Sequence, residues 1–137
     1  MVGRWKDCDN GGIMVSVRPG KQRKALFQAP LHVRQKLIAA HLAKPLIKQF
    51  GRRSLAIHKG DEIKVMRGKY KGMTGKISRV DLKRLAVYVE GIKRKKVAGQ
   101  EVAVALKPSK LMITNPVLDD KWRKAIIERS MKRGAKQ

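Results

Sequence analysis

The chain has 137 residues, with 34 Lys and Arg against 10 Asp and Glu, a formal charge of +24 and a pI near 11.0. Self-repulsion at that charge opposes compaction unless a polyanion screens it, which points first to nucleic acid and second to an anionic membrane surface. Aromatic content of 4% excludes a binder made mainly of stacking platforms, and the single Cys8 excludes a disulfide framework or a multi-cysteine zinc site within one chain.

No apolar run approaches the roughly 18 residues of a bilayer span, and the N-terminus lacks the basic-then-apolar order of a signal peptide. The expectation is a soluble, intracellular, polyanion-binding protein. In chain order, residues 1–28 read as a basic N-terminal arm. Met1 to Gly12 are polar and glycine-containing, with little independent structure expected, and Cys8 reads as a free thiol on that tail. Arg18-Pro-Gly-Lys21-Gln-Arg23-Lys24 has no acid, no hydrophobic period and a turn signal at Pro19-Gly20, so it is expected to order only against its partner. Between Asp9 and Asp61 there is no carboxylate side chain, while Arg and Lys recur throughout. A solvated face usually mixes signs, so the one-sided run favours phosphate contact.

Residues 29–53 read as short helices. Pro30 suits a first helical position, and the composition predicts helix over Leu31 to Leu42. Val33, Leu37 and Ala40 would share one side and Leu31, Ile38 and Leu42 another, with Arg34, Lys36 and His41 between, as in a wedge between protein and RNA. A second helix is expected from Pro45 to Phe50, stopped by Gly51, before Arg52-Arg53.

Residues 54–114 read as a β-domain. Ile63 and Val65 alternate with Lys64, the tight basic loop Arg67-Gly68-Lys69-Tyr70-Lys71-Gly72 follows, and a second strand begins at Gly75. Ile77 and Val80 have opposite parity, which calls for a bulge or bend between them. Leu85, Val87 and Val89 predict a half-buried strand after a Lys83-Arg84 turn. Lys93 to Lys96 reads as a basic loop, Val102, Val104 and Leu106 as a strand broken by Pro108, and Leu111 with Ile113 as a last short strand. Five short strands with glycine-rich turns in about sixty residues indicate a small, strongly bent barrel. In residues 115–137, Asp119 and Asp120 open a C-terminal helix whose stripe Leu118, Trp122, Ala125 and Ile126 should dock, with Arg129, Lys132 and Arg133 in its last turn before Gly134.

Gly68, Gly72 and Gly75 permit tight turns and would let backbone approach phosphates that Arg67, Lys69, Lys71 and Lys76 neutralise. Tyr70 has two readings, stacking on a base or sugar and packing over the loop. Gly75-Lys76 is followed by Ile77 and a strand, so it is not a P-loop, and Gly72-Met-Thr-Gly75 matches only the bare GxxG of a KH loop. His32, His41 and His58 lack metal-ligand spacing, and no Ser, His and acid arrangement stands out, so no catalysis, metal, cofactor or small-molecule substrate is expected.

Lys59-Gly-Asp-Glu-Ile-Lys-Val-Met-Arg-Gly-Lys-Tyr-Lys-Gly-Met-Thr-Gly-Lys-Ile resembles the KOW motif of ribosomal and transcription-elongation proteins. Lys21-Gln-Arg-Lys-Ala-Leu-Phe-Gln-Ala-Pro-Leu-His-Val-Arg-Gln-Lys-Leu, Ala40-His-Leu, Arg52-Arg-Ser-Leu and Lys107-Pro-Ser-Lys-Leu-Met-Ile-Thr resemble the archaeal and eukaryotic form of the large-subunit ribosomal protein twenty-four family, from about Met14 onward. The short tail after Gly134 is similar to the archaeal branch. The resemblance implies an SH3-like barrel in a cytoplasmic ribosome, bound to the 5′ domain of large-subunit rRNA beside neighbouring ribosomal proteins. It also implies a role early in subunit assembly and a place near the polypeptide exit tunnel. RNA contact carries over to Arg18, Lys21, Arg23, Lys24, Arg34, Lys36, Arg52, Arg53 and the Arg67 to Lys76 loop. Met1 to Ile13 lie outside the family pattern, as an extension or an upstream start. The rivals are a KOW-domain elongation factor, which would join the motif to a separate, more acidic domain, and a cationic membrane-surface protein, which would need a clean amphipathic basic helix.

Overall fold

The computed structural model describes residues 16–134. The expectations for Met1 to Gly12, for Cys8 and for the Met1 to Ile13 extension lie outside the described residues. The architecture is mainly β. Helices α1 (Pro19–Gln28) and α2 (Leu31–Leu37) lead into β1 (Ala39–Leu42), α3 (Lys44–Phe50) and β2 (Ser54–Ala56). β3 (Glu62–Val65), β4 (Thr74–Asp81) and β5 (Ala86–Val89) follow, then β6 (Lys93–Lys95) and β7 (Glu101–Ala103). A 3-10 turn at Pro108–Lys110 precedes β8 (Leu111–Asn115), and α4 (Lys121–Gly134) ends the described chain.

Six strands form one mixed sheet in the order β2-β1-β8-β3-β4-β5, in which only β1 and β8 run parallel, and β6 and β7 form a separate hairpin. The sheet curls into a barrel-like layer because β4 bends. Its register with β5 shifts between Ile77 and Arg79, where the parity of Ile77 and Val80 required a bulge. Val87 on β5 bridges to Leu106, which carries the chain back towards β8. Ile38, Ile63, Val65, Ile77, Leu111 and Ile113 fill the interior. Each such side chain contributes about 1.5–3 kcal/mol by leaving water.

Several expectations are corrected. The Arg18 to Lys24 run is not formless without a partner. Pro19 stands in the first turn of α1, where its missing N–H costs nothing, and the Lys, Gln, Arg, Ala and Leu that follow are strong helix formers. The helix expected to reach Leu42 stops at Leu37, with Ile38 outside helical geometry at φ −84° and ψ 73°. Ala39–Leu42 is a strand instead, since Ile38, Ala40 and Leu42 alternate inward and the backbone pairs with β2 on one side and β8 on the other. The 29–53 segment thus supplies a strand to the sheet built by residues 54–114.

In the β-domain seven strands, β2 to β8, stand where five were expected, and β1 joins them from residues 39–42. The basic Lys93 to Lys96 run is half of a hairpin rather than a loop. It turns at Gly99 (φ 80°) and pairs Lys93 with Ala103 and Lys95 with Glu101. The Val102 to Leu106 run holds strand only to Ala103. Val102 is exposed, and Leu106 reaches the interior. β5 is buried on both faces, with Ala86 and Tyr88 inside as well as Val87 and Val89.

The C-terminal helix is capped by the Asp120 carboxylate, which accepts the Trp122 N–H at 3.0 Å. It does not dock through Trp122, which is 77% exposed. Arg123 and Ile127 face inward instead, with Ile126 against the core. The reason is a buried ion pair that sets the rotation of the helix. Asp61, 0% exposed, accepts Arg123 Nη1 at 2.7 Å and Nη2 at 2.8 Å, and also the backbone N–H groups of His58 and Val117 at 2.9 Å each. Arg123, 3% exposed, further donates to the carbonyls of Val117 and Ala56. Its Nε–H is the one buried side-chain polar atom among the described residues without a partner. One α-helical step is about 100°, so turning Arg123 inward turns Trp122 out.

Candidate nucleic-acid interface

The basic loop between β3 and β4 is held by its own backbone. Gly72 N–H donates to Val65 O at 2.8 Å, Lys71 N–H to Gly68 O at 3.0 Å, and Val65 N–H to Met73 O at 2.9 Å. Gly68 (φ 98°) and Gly72 (φ 89°) occupy left-handed geometry that a side chain would strain. The turn presents Arg67, Lys69 and Lys71 to solvent. Tyr70 is half-buried and packs against the core, with the rest of its side chain open to solvent.

Gly75 is not a turn glycine. It lies within β4, and a Cβ there would sit 2.8 Å from both Glu90 O and Val89 Cγ1, so its absence lets β5 approach. Lys76 stands beside it, exposed, and lies 3.8 Å from the exposed Glu62 carboxylate. Lys110 was not foreseen as part of this cluster. Its carbonyl accepts Met66 N–H at 2.8 Å, which brings an exposed lysine against the base of the loop.

A second basic group forms around α1 and α2. Arg18 is the N-cap position of α1, and Lys21, Arg23 and Lys24 lie exposed along it. Arg34 on α2 is half-buried and spends its guanidinium on the protein. Nε donates to Ala29 O at 2.8 Å, Nη2 to Phe27 O at 2.6 Å, and Nη1 to Lys83 O at 2.8 Å. It clamps α1 and the β4–β5 turn together, a role the sequence reading missed because Lys83 lies 49 residues away. The clamp brings exposed Lys83 and Arg84 beside α1, and Arg84 N–H is itself tied to Asp81 Oδ1 at 3.0 Å. Lys36 is exposed on α2. Arg52 is half-buried and donates to Ser54 O at 3.2 Å, while Arg53 is exposed and its carbonyl accepts Leu42 N–H.

The two groups lie at opposite ends of β4. The basic loop precedes Thr74 and the Lys83-Arg84 turn follows Asp81. A strand rises about 3.3 Å per residue, so the ends of β4 are at most about 23 Å apart. Lys93, Arg94, Lys95 and Lys96 on the β6–β7 hairpin add a third exposed cationic element. Such widely set cations suit a folded polyanion that spans the barrel, since each neutralised phosphate releases counterions.

Among the described residues, no group of three His, Cys, Asp or Glu is placed to hold a metal ion, and no helix is long and apolar enough to cross a membrane. Comparison with known protein families finds a match over residues 16–130 to the model that describes the eukaryotic ribosomal protein twenty-six and archaeal ribosomal protein twenty-four.

Proposed function

Since the chain belongs to this family of eukaryotic protein twenty-six and archaeal protein twenty-four of the ribosome, with the structural role that membership carries, we propose that it holds large-subunit rRNA by neutralising its backbone at both ends of β4. The observation that carries this reading is the exposed Arg67, Lys69 and Lys71 on a loop fixed by backbone hydrogen bonds to a rigid barrel. Phosphate contacts position a protein on folded RNA, and shape fit supplies selectivity. The site residues on this reading are Arg18, Lys21, Arg23, Lys24, Lys36, Arg52, Arg53, Arg67, Lys69, Lys71 and Lys76, with Gly68 and Gly72 shaping the loop. Arg34 acts through the clamp it forms. The family resemblance further suggests the 5′ domain of the rRNA, early assembly, a position near the exit tunnel and contact with neighbouring ribosomal proteins.

The test is binding of the full chain to a transcript of the large-subunit rRNA 5′ domain across a salt series. Log affinity is expected to fall with log salt by about 0.7–0.9 per phosphate contact. Removing Lys69 or Lys71 should lower that slope by about one. A flat salt dependence overturns the reading.

A further inference from the structure

The C-terminal end of α1 places an aromatic side chain in water for which the fold has no use. Phe27 is 75% exposed, and α1 buries no side chain. Leaving a benzyl group in water is unfavourable by the same transfer free energy that drives burial, and a helical surface site of this kind accepts almost any residue. The backbone beneath Phe27 is nevertheless tied to the rest of the fold. Its carbonyl accepts Arg34 Nη2 at 2.6 Å, and the same guanidinium reaches Ala29 O and Lys83 O. The ring is therefore presented from a fixed corner rather than from a loose arm.

The surroundings of that corner are cationic. Lys24 lies one turn before Phe27 on α1, at the i, i+3 spacing that makes helix neighbours. Arg34 brings the Lys83 carbonyl within one guanidinium's width of the Phe27 carbonyl, and Lys83 and Arg84 are exposed on that β4–β5 turn, where Asp81 accepts the Arg84 N–H. No carboxylate side chain occurs anywhere from residue 10 to residue 60. Leu26 and Leu31, also exposed, flank the ring, so an apolar protein partner is the rival occupant, and the charge around the site decides between the two. A flat ring among several cations matches a nucleotide instead, with base on ring and phosphate on ammonium or guanidinium.

We propose that Phe27 is a stacking platform for one unpaired base of the bound RNA, with Lys24, Lys83 and Arg84 holding the flanking phosphates. The inference rests on the rRNA-binding reading above and names a single base-contacting side chain within it. It is compatible with the low aromatic content, because one platform serves a bulged or looped-out base and not a continuous single strand.

The test uses the full chain and the 5′-domain rRNA transcript, comparing Phe27→Tyr, Phe27→Leu and Phe27→Ala across the salt series. Stacking predicts that Tyr binds within about twofold of the parent, while Leu and Ala both lose about tenfold or more. It also predicts that the salt slope stays unchanged, because no cation is removed. Circular dichroism should show the same helix content in all three, since the ring is 75% exposed and lies outside the buried core. Leu binding as tightly as Phe overturns stacking, and a neutral Phe27→Ala overturns it outright and leaves an apolar protein partner as the occupant. If the parent chain itself binds without steep salt dependence, the rRNA reading fails first. A steep parent slope with an indifferent Phe27 leaves that reading intact and sinks only the platform.

Discussion

The barrel and the α1–α2 corner carry charge of the same sign but acquire their order by different means. The barrel is held by a contiguous interior in which Ile38, Ile63, Val65, Ile77, Leu111 and Ile113 are almost wholly withdrawn from water. The corner buries no side chain fully in α1 or α2, and Arg34, bonded to three carbonyls, ties it to the β4–β5 turn. Order from burial is cooperative and spread over many residues. Order from a single clamp is local, and can be removed at one position without unfolding the rest. The difference also shows two uses of arginine in a chain rich in cations. Arg34 and Arg123 are spent on the protein's own carbonyls and carboxylate, while Arg67 stands exposed beside Lys69 and Lys71.

The contrast can be broken most severely at the buried ion pair. Asp61→Ala leaves Arg123 and two backbone N–H groups without their acceptor, so we expect a loss of about 3–5 kcal/mol in urea unfolding. Arg123→Ala should cost a similar amount, and the double variant less than the sum of the two. Gly75→Ala comes next. Its new methyl would press on Glu90 O and Val89 Cγ1, and separating β4 from β5 should cost about 1–3 kcal/mol.

Arg34→Ala acts on the corner alone. We expect faster amide exchange confined to α1 and the β4–β5 turn, with a barrel midpoint moved by no more than about 1–2 kcal/mol. Arg34→Lys should not restore protection, since an ammonium cannot fork across three carbonyls. Uniform loss of protection through the barrel would show that the corner is not a separate unit. The smallest effect is expected at Lys76→Ala, where the exposed pair with Glu62 contributes below about 1 kcal/mol. Its signature should appear in the salt slope of rRNA binding rather than in stability.

How much was legible depended on sequence distance. Ile63, Lys64 and Val65 announce a strand with one face inward, and that is how β3 lies. Gly68 and Gly72 mark a turn by requirements that two or three neighbours set, and both adopt positive φ. Gly75 looked like its companions, but its reason lies across the sheet, at Glu90 and Val89. Ala39–Leu42 shows the same limit. Its composition favours helix, and pairing with two strands, one of them some seventy residues on by the His41 to Met112 register, overrides a propensity of only tenths of a kcal/mol per residue.

The sequence by itself determined the charge, the alternation that makes a small barrel, the basic loop with its glycines, and the cap at Asp120, because each depends on composition or on residues within a few positions. The fold alone settles which cations are spent on the protein itself. Asp61 finds Arg123 across 62 residues, and Arg34 finds Lys83 across 49. Nothing in the local pattern distinguishes those two arginines from Arg67, for a guanidinium's partner is set by the fold that surrounds it. The basic loop can be read from its own residues. Its counterpart at the far end of β4 exists only because a distant carbonyl is brought within reach.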